Sequence, residues 1–169
     1  MELKTKMHAE DGKQDLTITR EFNLPVELLF KAHVDPEIIV QWKARPDTTA
    51  KILKFGGKKH GSYQMQSTDA QGKVVSSVHG VIHEFIPNKK IIRTFEMENA
   101  PIGVQLEIYD FERLTDNTSK LSMHVIYESG AIRDKLLSMP GASGNAMGMA
   151  HDRMEEIMSK LSHRDPLGK

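Results

Sequence analysis

The sequence predicts an α+β domain, an antiparallel sheet covered on one face by a long C-terminal helix. Three observations predict it. From Lys51 to about residue 128, apolar residues recur at every second position, which is the strand period. Turn-forming pairs interrupt the run at Gly56-Gly57, 69–72, Pro87-Asn88, 99–101 and Asp116-Asn117. Between 139 and 161 the period changes to that of a helix. Met147, Ala150, Met154, Ile157 (with Met158 beside it) and Leu161 make one apolar stripe, opposite Asp152, Arg153, Glu155, Glu156, Ser159 and Lys160.

Taken in order, residues 1–14 form a polar N-terminal extension, either loosely held or a short edge strand with a turn at Asp11-Gly12. DLTITREF (15–22) is a first strand, with Leu16, Ile18 and Arg20 sharing one parity. Asn23-Leu24-Pro25 starts a short helix carrying Val26, Leu29, Phe30 and His33 or Val34. Asp35-Pro36 ends it and opens a second short helix through Ile38, Ile39 and Trp42. Further strands are expected at 50–56, 61–68, 74–86, 90–98, 102–114 and 119–128. The domain therefore spans 15–161, with 162–169 a flexible polar tail.

Composition narrows the function. A chain of 169 residues fits one domain with a real core. Lys+Arg and Asp+Glu are both 23, so the formal charge is zero and a nucleic-acid partner is not expected. With no cysteine, disulfides, thiolate metal sites and cysteine nucleophiles are excluded. The N-terminus lacks the apolar stretch of a signal peptide, and no run is long enough to span a membrane. A cytoplasmic location is the expectation.

Hairpin parity assigns residues to faces. A tight loop centred on Asn88-Lys89 opposes Ile82 to Phe95, Glu84 to Arg93 and Gly80 to Met97. A two-residue turn at Asp116-Asn117 opposes Leu106 to Tyr127, Ile108 to Val125 and Asp110 to Met123, and sends Glu107, Tyr109, Ser122 and His124 to the reverse face. A turn near Ala70-Gln71 sets Tyr63 against Val78 and Met65 against Ser76. The inner face so derived is mixed. Its polar groups have two readings: a Glu84–Arg93 ion pair with tyrosine hydroxyls at a rim, or polar handles in a ligand cavity between sheet and helix.

Three segments carry a resemblance to a known family: ITREFNLPVELLFKAHVDPEIIVQW (18–42), FGGKKHGSYQM with VHGVIHEFIPNKKIIRTFE (55–65 and 78–96), and GASGNAMGMAHDRMEEIMSKL (141–161). In their joint order they resemble the activator of heat-shock-protein-90 ATPase homologue family, of the START-like, SRPBCC or Bet-v-1-like group. The resemblance covers roughly 15–161. It implies a helix-grip fold, a curved antiparallel sheet around a long C-terminal helix with two short helices after the first strand. It also implies functions that range from binding lipids and polyketide-like molecules, through cyclase chemistry, to a co-chaperone role. Many members carry an aromatic residue early in the long helix, where this chain has Met147. Residues 1–14 are too few to supply the co-chaperone's additional N-terminal domain.

The expected activity is binding of a small apolar molecule, without catalysis or cofactor. Tyr63, Glu84, Arg93 and Tyr127 would orient the ligand. Met65, Ile82, Phe95, Leu106, Ile108, Met123, Met147 and Met154 would line the wall, with Trp42 closing one end and His151 at the helix edge. The alternatives are a protein-interaction module acting on a chaperone or another protein, and a cyclase- or hydrolase-like enzyme. The expected state is a monomer or homodimer. His79 and His83 share a strand face but lie about 13 Å apart, so no metal site is expected. The segment from Gly141 to Asn145 lacks the final glycine of a nucleophile elbow and the Gly-Lys-Ser/Thr of a P-loop. It reads as a close-packed helix start.

Overall fold

The computed structural model describes residues 3–98, 100–139 and 144–164. Along the chain run β1 (Lys6–His8), β2 (Asp15–Phe22), α1 (Val26–Val34), α2 (Pro36–Lys43), β3 (Thr49–Phe55), β4 (Ser62–Thr68), β5 (Val74–Ile86), β6 (Lys90–Met97), β7 (Val104–Arg113), β8 (Ser119–Ile126), α3 (Gly130–Leu137) and α4 (Gly144–Arg164). The eight strands form one antiparallel sheet in the order β1-β2-β8-β7-β6-β5-β4-β3. Strands β3 to β8 are a meander, and β2 returns beside β8. The helices cover the inner face, as the α+β helix-grip expectation requires.

Helices α2 and α3 open on side-chain caps, and α1 on a backbone turn. The Pro25 carbonyl accepts from Leu28 and Leu29 at the start of α1. The Asp35 carboxylate accepts from Glu37 N at 3.0 Å and Pro36 occupies the first turn of α2. Ser129 accepts from Ile132 N at 3.2 Å to open α3.

Helix α3 is absent from the sequence expectation, because its amphipathic signal is weak and its buried residue is Arg133. That guanidinium donates to the Glu10 and Asp15 carbonyls at 2.8 and 3.1 Å, fastening α3 to the start of the sheet. The N-terminal segment follows the edge-strand alternative: β1 pairs with β2, and Gly12 takes a positive φ of 77° in the turn between them. Helix α4 runs three residues beyond 161, to Arg164; the rest of the expected tail, 165–169, lies outside the described residues, as do 140–143 of the glycine-rich segment.

Three registers differ from the parity argument, and two of the differences have a local cause. The β5–β6 connection is a three-residue loop, 87–89, with Asn88 at φ 62°, so Ile86 pairs with Lys90. A β-bulge between Ile82 and Glu84 then restores the inward parity, pairing Ile82 with Arg93 and Val78 with Met97. Glu84 consequently pairs with Ile92 on the outer face, and the expected Glu84–Arg93 ion pair does not form. The β7–β8 loop has five residues, closed by Leu114 N donating to Thr118 O at 3.0 Å. An odd loop slips the register by one, so Tyr109 opposes Met123 and Glu107 opposes Val125. Glu107 and Tyr109 therefore face inward, while Leu106 and Ile108 stand on the outer face. The β4–β5 pairing is shifted by two, Tyr63 to Gly80 and Met65 to Val78, which leaves their face unchanged.

Arg20 fastens α4 to the sheet. It is 5% exposed, lies over the Phe22 ring, and donates to Asp152 at 2.7 Å and Glu155 at 2.9 Å. Glu155 also accepts from Asn23 N at 2.7 Å. Replacing Arg20 by Met removes two charge-assisted hydrogen bonds, so a loss of about 2–3 kcal/mol in urea unfolding is expected. A change below about 0.5 kcal/mol would show that the helix is held by packing alone.

Candidate functional site

Beneath α4 the inner sheet face does not fill. A cavity of about 570 Å³ lies between β2, β8, β7 and β6 on one side and α2, α3 and α4 on the other. Its apolar wall comes from Leu16, Ile18, Phe95, Met123, Val125 and Met147, and Trp42 and His151 close the end beside the short helices. Met7 of β1 also reaches this wall, and the Thr5 hydroxyl lies 2.8 Å from His151 Nδ1. The N-terminal segment is thus part of the enclosure. A second cavity of about 40 Å³ adjoins it beneath Tyr63, Met65 and Val78. His33, Lys43, Arg93, Phe95 and Tyr109 face both.

The polar part of the wall is one network on β6 and β7. Arg93 Nε donates to Glu107 Oε1 at 2.8 Å, and Arg93 Nη2 donates to the Tyr109 hydroxyl at 2.7 Å. Tyr109 in turn donates to Glu107 Oε1 at 3.0 Å, and Gln105 Nε2 donates to Glu107 Oε2 at 3.0 Å. The guanidinium is stacked 4.7 Å from the Tyr63 ring centre and 5.0 Å from that of Tyr109.

Tyr63 crosses over Gly80 to donate to Thr94 O at 2.5 Å. A Cβ at Gly80 would collide with that carbonyl and with the Tyr63 hydroxyl, so glycine is what admits the ring.

Burial alone would raise the Glu107 carboxyl, but Arg93, Lys43 and the bonds from Arg93 and Tyr109 hold it below the usual carboxylate value. Burial by itself would lower Arg93; its Tyr109, Glu107 and Tyr63 neighbours reverse this and raise it. Desolvation raises both tyrosines. The network is therefore a charged pair with every Glu107 oxygen engaged, and its carboxylate is not free to take a proton.

Three further titratable groups border the cavity. His33 is buried among Trp42, Tyr109 and Phe111 and donates from Nδ1 to Leu29 O at 2.8 Å; burial lowers its pKa to about 3. His151 is 1% exposed, edge-on to Phe22, and burial lowers it to about 3 as well. Lys43 ends α2, half-buried, with its ammonium 5.1 Å from the Trp42 ring centre. Burial, followed by the nearby Arg93, lowers it to about 7. Arg153 of α4 donates to the Trp42 and Ala44 carbonyls at 3.1 and 3.3 Å, which sets the position of this helix end.

Of the residues expected at a site, Trp42, Arg93, Phe95, Met123, Tyr127, Met147 and His151 line the large cavity, and Tyr63 and Met65 line the small one. Ile82 and Met154 are buried in the solid core, at 2% and 0% exposure, away from both walls. Glu84, Leu106 and Ile108 are turned to the outer face by the bulge and the odd loop. The odd loop also conceals Glu107 and Tyr109 from parity reasoning. The five-residue spacing from Leu114 to Thr118 was the available signal. Lys43 and Gln105 carry no distinguishing pattern. No cluster of three potential metal ligands occurs among the described residues, and no described helix is long and apolar enough to cross a membrane.

Solved structures of similar fold include a Rhodobacter sphaeroides protein at TM-score 0.84 and 18% identity, covering 94% of this chain and 99% of that one. A Mycobacterium smegmatis protein matches at TM-score 0.77 and 18% identity over 90% of this chain and 95% of its own. One from Arthrobacter aurescens matches at TM-score 0.79 and 17% identity, over 92% and 91%. Among curated proteins, no sequence matches this chain. At these identities the structural likeness establishes the fold. Residues 23–161 match the sequence family described as Activator of Hsp90 ATPase homolog 1-like protein, and the chain belongs to that family.

Proposed function

We propose that this protein binds a small, mostly apolar molecule in the cavity between the sheet and α4, as a cytoplasmic binding domain. The observation that carries this reading is the cavity itself. Its 570 Å³ falls within the range of small-molecule sites, and a pre-formed apolar wall meets a few placed polar groups. The Arg93–Glu107–Tyr109 network supports it, because it gives the wall a polar end without leaving a buried group unpaired. The engaged, low-pKa carboxylate of Glu107 favours binding over acid–base catalysis at this site. An interaction module acting on a chaperone would not need this internal space.

The reading is tested with a neutral apolar dye such as Nile red. Val125 is 2% exposed and lines the cavity, so V125F fills part of the space the ligand would occupy. An affinity loss of at least ~10-fold is expected, with stability changed by less than about 1.5 kcal/mol. I108F, on the outer face, should leave dye binding unchanged. Equal binding by V125F and the wild type, or native mass spectra and a panel of apolar compounds that show no binding at all, would overturn the proposal.

A further inference from the structure

We infer that the molecule held in this cavity is an amphipathic acid, an apolar body bearing one carboxylate, and that the Lys43 ammonium is the group that receives the carboxylate. This rests on the binding reading above and deepens it.

Five charged side chains line the cavity: Arg93, Glu107 and Lys43, with Arg45 and Glu98 at exposed positions. Arg93 and Glu107 neutralise each other at 2.8 Å. Arg93 also donates from Nη2 to Tyr109, and Glu107 accepts on both oxygens, so the two charges offset each other within the wall. His33 and His151 are neutral. Lys43 is different. It faces both cavities, and among the described residues no carboxylate lies within ion-pair distance of it and no carbonyl accepts from it; Glu107 acts on it only at longer range. Its ammonium lies over the face of Trp42, 5.1 Å from the ring centre. A cation drawn into an apolar wall without an anion is costly, and the structure holds it there by fixing the end of α2 through Arg153. An anionic head in the cavity would relieve that cost. A neutral ligand would leave it standing.

The remaining wall suits the other end of such a molecule. Leu16, Ile18, Met123, Val125 and Met147 come from β2, β8 and α4 and carry no charge. The two methionines are adaptable surface for a flexible chain. These residues offer a second ion no partner, so a single charge is the fitting number.

The environment also supplies a signature. The groups that share these walls with Lys43 are Arg93 from β6, Glu107 and Tyr109 from β7, Tyr63 from β4, His33 from α1 and His151 from α4, with the exposed Arg45 and Glu98 on the same cavity. Arg93 and both tyrosines are raised, Glu107 is lowered, and both histidines sit near 3. Lys43, near 7, is the member of this set that titrates around neutral pH. A carboxylate bound beside it draws a proton onto it.

The test compares decanoate with 1-decanol at pH 8 and low salt, on the full chain and on the K43M and R45M variants. Decanoate is expected to bind the wild type at least ~10-fold more tightly than decanol. Calorimetry in two buffers of different ionisation enthalpy should show uptake approaching about one proton per decanoate, and none for decanol. K43M should bind decanol as the wild type does, and lose both the preference for the acid and the proton uptake. R45M, altered at the exposed second cation that lines the cavity, should keep both. Equal affinity for acid and alcohol would overturn the anionic head while leaving the binding reading intact. So would a preference that survives in K43M or disappears in R45M. Failure of both probes to bind would remove both readings.

Discussion

Acidification from pH 7 to pH 5 is expected to cost the fold about 4 kcal/mol, long before its carboxylates protonate. The cause is the pair of buried neutral imidazoles, His33 and His151, whose pKa values fall from 6.5 to about 3 on folding. Between those values the unfolded chain binds more protons than the folded one, so stability falls as pH falls. At pH 5 each histidine contributes a loss of about 2 kcal/mol, and the slope approaches about 1.4 kcal/mol per pH unit per group. The loss begins near 6.5 and is complete for each group only below about 3. Glu107, whose pKa is lowered on folding, adds its own loss only in the more acidic range. Urea unfolding at pH 7, 6 and 5 separates the two windows. H151Q should remove about half of the slope between pH 6 and 5. A midpoint unchanged over that interval would mean that the histidines are far better hydrated than their burial indicates.

The second large effect lies in the buried ion pair. E107Q leaves the Arg93 charge desolvated without its counter-ion, beside its stacking partners Tyr63 and Tyr109, and a loss of about 3–5 kcal/mol is expected. The double variant R93M/E107L removes both charges from the wall. It should recover most of that loss, to within about 1–2 kcal/mol of the wild type. Y109F, which deletes one hydroxyl between the two ions, should cost about 1–2 kcal/mol. Equilibrium unfolding of R93M, E107L and R93M/E107L forms a double-mutant cycle. Additive single and double effects would show that Arg93 and Glu107 stabilise the fold through separate contacts, contrary to their geometry.

How far the sequence discloses this molecule is decided by individual turns. The long helix and the two capped helices were legible because their signals are local: a stripe at helical period, Pro25, and Asp35-Pro36. Strand positions were legible too. The polar heart of the site was not, because its face assignment depends on whether a loop has an even or odd number of residues. The five residues of 114–118 reverse β7, so Glu107 and Tyr109 replace Leu106 and Ile108 on the inside. The bulge beside Ile82 exchanges Glu84 for Phe85, which packs edge-on against Phe30 at 5.5 Å. Arg93 was placed correctly on the inner face, but with the wrong carboxylate. Lys43 has no periodic signature at all. Its importance comes from where Arg153 and Trp42 hold the end of α2, and that is a tertiary fact.

The three residues of β1 have a consequence for the behaviour of the protein in concentrated solution. An open sheet has two borders of unpaired peptide groups, each a template on which another molecule can crystallise a strand. At one border, β3 breaks its own ladder between Ile52 and Lys54 and projects Lys51 and Lys54. At the other, β1 hydrogen-bonds alongside the middle of β2, where eight residues would otherwise offer a straight seam. Shortening the chain before Ala9 would uncover that seam and part of the cavity wall together. Self-association growing with protein concentration would then accompany any change in ligand affinity, and colloidal behaviour and binding would become two readings of the same strand.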